Sequence, residues 1–146
     1  MCEALENAIN MEGRRVIREA LEVWKRVQAG ETITNAMTLN KYQELAARTI
    51  NYSNTMAEIE SHALHGMCAE IGELHSLYQK MYQGHQFDTD HAKKELGDLL
   101  WFIAEYCTAC GLTLEDVAQT NIDKLKARYP EGFDTDKSLN RVEGDI

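Results

Sequence analysis

Proline is nearly missing from this sequence. One residue in 146, Pro130, carries the ring that breaks helices and strand ladders, and Ala, Leu, Glu and Lys are plentiful, which favours helices over strands. Long apolar runs are missing too. No stretch approaches the roughly 18–20 residues of a membrane span, and nothing resembles a cleavable signal peptide. Positive charge is scarce, with 15 Lys and Arg against 24 Asp and Glu, a formal net charge of -9. That balance argues against a general nucleic-acid binder, whose phosphate contacts need a basic face. Apolar residues make up 44%, enough for a packed core and too many for a disordered chain. The length suits about one domain.

Cysteine is sparse and arranged for neither zinc nor redox chemistry. Cys107 and Cys110 form one C-x-x-C, but Cys2 and Cys68 lie at no characteristic metal spacing from it. A redox pair wants its nucleophile at a helix N-terminus, whereas this pair closes a helical pattern just before Gly111. Small apolar residues near a helix end are the expectation, with reduced thiols in a cytoplasmic setting.

Helical periodicity divides the chain into segments. Residues 4–28 carry the stripe Leu5, Ile9, Val16, Ala20, Val23, Trp24 and Val27, closed by Gly30. A polar connector follows. A short helix from Thr38 or Asn40 turns Leu39, Tyr42, Ala46 and Ile50 inward, and residues 51–54 form a break. Residues 57–82 form a long helix ended by Gly84. Thr89 or Asp90 caps the next, which reaches Cys110 and stops at Gly111. Thr113 and Asp116 open a further helix that ends before Pro130, and the acidic tail beyond Glu131 is expected to be loosely ordered. The fold class predicted is all-α, without repeats or low-complexity tracts.

Four carboxylates fall where solubility does not explain them. At about 100° per residue, Ala63, Met67, Leu74, Leu77 and Met81 form an apolar stripe with Glu70 in its middle and Glu73 at its edge. On the following helix, Glu95 lies between Leu99 and Phe102, and Asp98 continues the same edge. Spacing of i and i+3 aims each pair in one direction. Buried carboxylates without a partner cost several kcal/mol, and four together repel one another. Lys93 and Lys94 project away and Lys80 lies beyond Glu73, so a divalent cation is the better partner. Hard oxygen donors without His or Cys suit Mg²⁺, with Mn²⁺ as a substitute. The competing explanation is a solvated acidic face.

The last long helix adds a complement. Leu114, Val117, Ala118, Ile122 and Leu125 face inward, Asn121 shares that face, and Lys124 and Arg128 run along its edge. Cations beside an acidic metal site are what a polyphosphate needs, although the same residues also complement the helix C-terminal dipole. Trp101 and Tyr42 are candidates for stacking on a base or for the core, and Gln43 is a further candidate base contact. His62, His65, His75, His85 and His91 show no triad or facial-ligand spacing.

Glu70-x-x-Glu73, 21 intervening residues and Glu95-x-x-Asp98, followed by Asn121-Ile-Asp-Lys124-Leu and Arg128-Tyr129-Pro130, resemble the signature of the MazG-type all-α nucleoside triphosphate pyrophosphohydrolases. The resemblance covers about residues 38–135, leaving residues 1–37 as an N-terminal helix and connector, a candidate oligomerisation element, and 136–146 as an acidic tail. It implies a four-helix core assembled as a homodimer or dimer of dimers. It implies Mg²⁺ held by Glu70, Glu73, Glu95 and Asp98, and nucleoside triphosphate cleaved between the α and β phosphates to a monophosphate and pyrophosphate. Asn121 and Lys124 match residues that approach the nucleotide, and Glu73 or Glu70 is the candidate base. Three rivals remain: a carboxylate-bridged di-iron bundle, for which only Asp88-x-x-His91 is present; a non-catalytic helical interaction module; and, within the enzymes, a phosphoribosyl-ATP pyrophosphohydrolase.

Overall fold

A computed structural model describes residues 36–140, together with Arg15, Arg18, Leu21, Glu22, Lys25, Arg26, Ala29 and Gly30. The chain divides into two compact units, Met1–Ala36 and Met37–Ile146. In the first, the described positions between Arg15 and Arg26 are helical and exposed. Lys25 pairs with Glu22 at 2.8 Å, and the Ala29 N–H donates to the Lys25 carbonyl. The apolar stripe from Leu5 to Val27 lies outside the described residues.

The second unit is all-α, with no strand among the described residues. Helix α1 spans Leu39–Ala46 and runs into a 3₁₀ turn at Ala47–Thr49. Helices α2 (Met56–Tyr82), α3 (Thr89–Ala109) and α4 (Leu114–Arg128) follow, then a single turn, α5 (Thr135–Leu139). No helix among the described residues is long and apolar enough to cross a membrane.

Local chemistry sets these boundaries. Thr55 and Glu58 form a complete capping box at the start of α2: each side chain accepts from the other's backbone N–H. Asp88, rather than Thr89 or Asp90, caps α3 by accepting from the His91 N–H at 2.9 Å. The run Asp88-Thr89-Asp90 offers three capping side chains in succession, and the first of them is used. Gly111 (φ 69°) closes α3 in a Schellman turn, its N–H bonded to the Thr108 carbonyl and that of Leu112 to the Cys107 carbonyl. Within the stretch expected to be loose, Thr135–Leu139 form α5, opened by Asp134, which accepts from the Lys137 N–H; residues 141–146 lie outside the described residues.

Helices α2 and α3 pair along most of their length in antiparallel register, with α1 laid across α3 and α4. The buried side chains are small: Ala63 on α2, and Ala92, Ala104 and Cys107 on α3, beside Ile59, Leu77 and Leu114. Gly66 leaves room for the Phe102 ring of the facing helix. A Cβ there would overlap the Phe102 ring. Ala104, Cys107 and Leu114 form a cluster covered by Tyr42, Ala46 and Ile103, so Cys107 is a core residue, and burial pushes its thiol pKa up. Cys107 and Cys110 are both free thiols.

Gln43 fastens α1 to the α3–α4 corner. Its amide donates to Thr108 Oγ1 (3.1 Å) and the Leu112 carbonyl (2.9 Å), and its oxygen accepts from the Leu114 N–H (2.8 Å). Each such bond contributes about 1 kcal/mol. The amide is therefore committed within the fold, not held out as a base contact.

Candidate active site

The α2–α3 register brings the carboxyl groups into two adjoining clusters that meet at Glu95. Ligand atoms of Glu70, Glu95 and Asp98 lie within 4.8 Å of one another, and so do those of Glu73, His91 and Glu95. Glu95 belongs to both groups and is the best covered, only 7% exposed. The i, i+3 spacing within each helix and the antiparallel pairing between them produce this convergence. Its electrostatic signature falls on Glu70. Burial, a hydrogen bond with Glu95 and the charges of Glu73, Asp98 and Glu95 all raise its pKa, and every charged neighbour acting on it is another carboxyl group. The donor set, mostly carboxylate oxygen with one imidazole, fits a hard divalent cation such as Mg²⁺ or Mn²⁺.

His91 is the member that spacing rules passed over. Its Nε2 lies 2.7 Å from Glu95 Oε1. Its signal in the sequence is the i, i+4 spacing to Glu95 on α3, which is neither a triad nor a facial-ligand pattern. An imidazole bonded to a ligating carboxylate fixes that carboxylate's orientation. Tyr42 borders the same region: burial and the Asp98 charge raise the pKa of its phenol.

Asn121, Lys124 and Arg128 lie on α4, at i, i+3 and i+7 along one side of the helix. Asn121 and Lys124 are exposed and Arg128 is half-buried, its guanidinium 6.0 Å from the Tyr129 ring.

Trp101 opens a second feature about a turn beyond Asp98. Its indole N–H donates to Thr49 Oγ1 at 2.8 Å, which leaves the ring as the surface it offers to a cavity of about 160 Å³. Glu105 lies in that cavity's wall, 3% exposed, and accepts from the His62 ring N–H at 2.9 Å.

Paired helices that bring an E-x-x-E and an E-x-x-D into two adjoining clusters form a candidate divalent-metal centre of a helical domain. The MazG nucleotide pyrophosphohydrolase domain matches residues 58–133, which takes in both acid pairs, His91, Trp101 and α4. The chain belongs to that family. It is also similar to the Gene 37 protein of Mycobacterium phage L5, at 28% identity over 114 residues that cover 72% of this chain and 100% of the phage protein. No solved structure matches it.

Proposed function

We propose that this protein hydrolyses a nucleoside triphosphate between the α and β phosphates, with Mg²⁺ held by Glu70, Glu73, Glu95 and Asp98. Two adjoining clusters, Glu70–Glu95–Asp98 and Glu73–His91–Glu95, joined through Glu95, with only carboxyl groups acting on Glu70, carry the reading. A cation bound there supplies charge neutralisation for the phosphate oxygens and polarises the phosphorus under attack. The protein's own groups do the rest. Glu73 is exposed at the edge of the cluster and is the candidate to accept a proton from the attacking water, with Glu70 as the alternative. His91 holds Glu95 in place. Lys124, Asn121 and Arg128 supply cationic and amide donors to phosphate oxygens along α4.

The catalytic unit is a homo-oligomer in this reading. Leu64, Ile71 and Tyr78 repeat every seventh residue on α2 and stay exposed; on α4, Val117, Ile122 and Leu125, expected to face inward, are exposed as well. Apolar stripes of that kind are covered by another surface, and a second copy of the chain brings matching stripes.

The test is a product assay. Incubated with Mg²⁺ and a panel of NTPs and dNTPs, the protein releases pyrophosphate and a monophosphate. Orthophosphate as sole product sinks the mechanism.

A further inference from the structure

The buried carboxyl group of Glu105 is not needed by the hydrolytic chemistry, yet it is built into the wall of a cavity. We infer that this cavity is a base pocket selecting nucleobases that carry an exocyclic amino group, and that Glu105 is the acceptor that reads it. The inference rests on the nucleotide reading above and names the substrate class of that site.

Position comes first. Asp98 and Glu105 are seven residues apart on α3, so they share a face about two turns, or ~10 Å, apart. On α2, Glu73 and His62 are likewise on one side, eleven residues apart. The acid cluster and the cavity are thus two stations along one helix pair. A ligand whose phosphates occupy the first extends along the pair toward the second.

Size comes next. At about 160 Å³ the cavity is smaller than the ~300 Å³ at which pockets for whole small molecules begin. It suits one ring system of a larger ligand, with the remainder lying outside.

Chemistry decides the class. The Trp101 ring and Ile59 supply flat and aliphatic walls for a planar heterocycle. Glu105 supplies only acceptors, and His62 holds one of its oxygens in place. Asn51, whose oxygen is taken by the Ser53 N–H at 3.1 Å, adds an amino donor at the rim. An amino group on the base donates to Glu105. Uracil, thymine or hypoxanthine puts a carbonyl oxygen or a bare carbon at the matching place, so the carboxyl group either faces lone pairs or loses its partner.

Two nucleotide pairs that differ at the amino group test this: dGTP against dITP, and dCTP against dUTP. Wild-type protein with Mg²⁺ is expected to favour at least one amino-bearing member by about tenfold or more in kcat/KM. In Glu105→Gln, whose side chain offers a donor as well as an acceptor, that ratio falls toward one. Titration with the α,β-methylene analogues of the same nucleotides reads the preference as binding, independent of turnover. Ratios near one for both pairs in the wild type, by turnover and by binding, overturn the inference even if the variant does not fold. So does a ratio that survives Glu105→Gln. Failure of the hydrolytic reading shows differently, as no pyrophosphate from any of the four nucleotides, and the analogue titration still decides the base preference.

Discussion

The two ends of the α2–α3 pair hold carboxyl groups in opposite conditions. At one end four of them gather in two clusters joined at Glu95, and the charges felt by Glu70 are all of its own sign. At the other a single one, Glu105, is more deeply buried and is answered by His62 from the facing helix. The contrast separates two ways of keeping acid inside a helical bundle. In one, a side chain of the protein holds the carboxyl group in place. In the other, Glu70 faces only charges of its own sign, an arrangement that suits a divalent cation.

Removing a shared ligand breaks the first end outright. Glu95→Ala should lower kcat/KM on the order of a thousandfold, because it takes a donor from both carboxylate groups. Circular dichroism should report a retained helical fold. Full activity in that variant contradicts the site assignment. The two ends can also be told apart by metal. Mg²⁺ at about a hundred times its Kd should stabilise the wild type by about 2.7 kcal/mol, raising Tm. The same rise should persist in Glu105→Gln and vanish in Glu95→Ala. Equal responses in both variants would erase the distinction.

The seam between the ends is tested by two glycines. Gly66→Ala places a methyl group against Phe102 and should cost about 1–3 kcal/mol in chemical denaturation. Gly72→Ala meets nothing within 4 Å and should instead stabilise α2 by about 0.5–1 kcal/mol. The smallest effect is a pH slope. Glu70 has a pKa raised above 4.5 in the folded chain, so the folded state holds its proton more tightly than the unfolded one. Stability from this group is full below pH 4.5 and is lost as pH rises through the raised value. Tm measured in chelator should therefore fall over that window more steeply in the wild type than in Glu70→Gln. Identical slopes would show that the carboxyl groups do not press on one another.

The acid cluster is legible in the sequence because it obeys a local rule. Spacing of i and i+3 on strongly periodic helices fixes direction, and Glu70, Glu73, Glu95 and Asp98 need only a short loop between the helices to meet. The Asp88 cap was obscured by its neighbours Thr89 and Asp90, which have the same chemistry. His91 was legible as the i, i+4 neighbour of Glu95. Gln43 was not: its partners lie 65 to 71 residues away, and no local pattern announces a bond of that separation. Glu105 is intermediate. Its seven-residue spacing from Asp98 is visible in the sequence, but its burial depends on how α2 packs over it.

The closeness of Gly66 and Phe102 has one more consequence. Helices interlocked through their side chains do not slide by fractions of a turn; they hold a register or jump it. The contact therefore pins which residues of α2 stand level with which of α3: Glu70 and Glu73 with the Glu95 turn, and His62 with Glu105. A one-turn jump would part both sets at once.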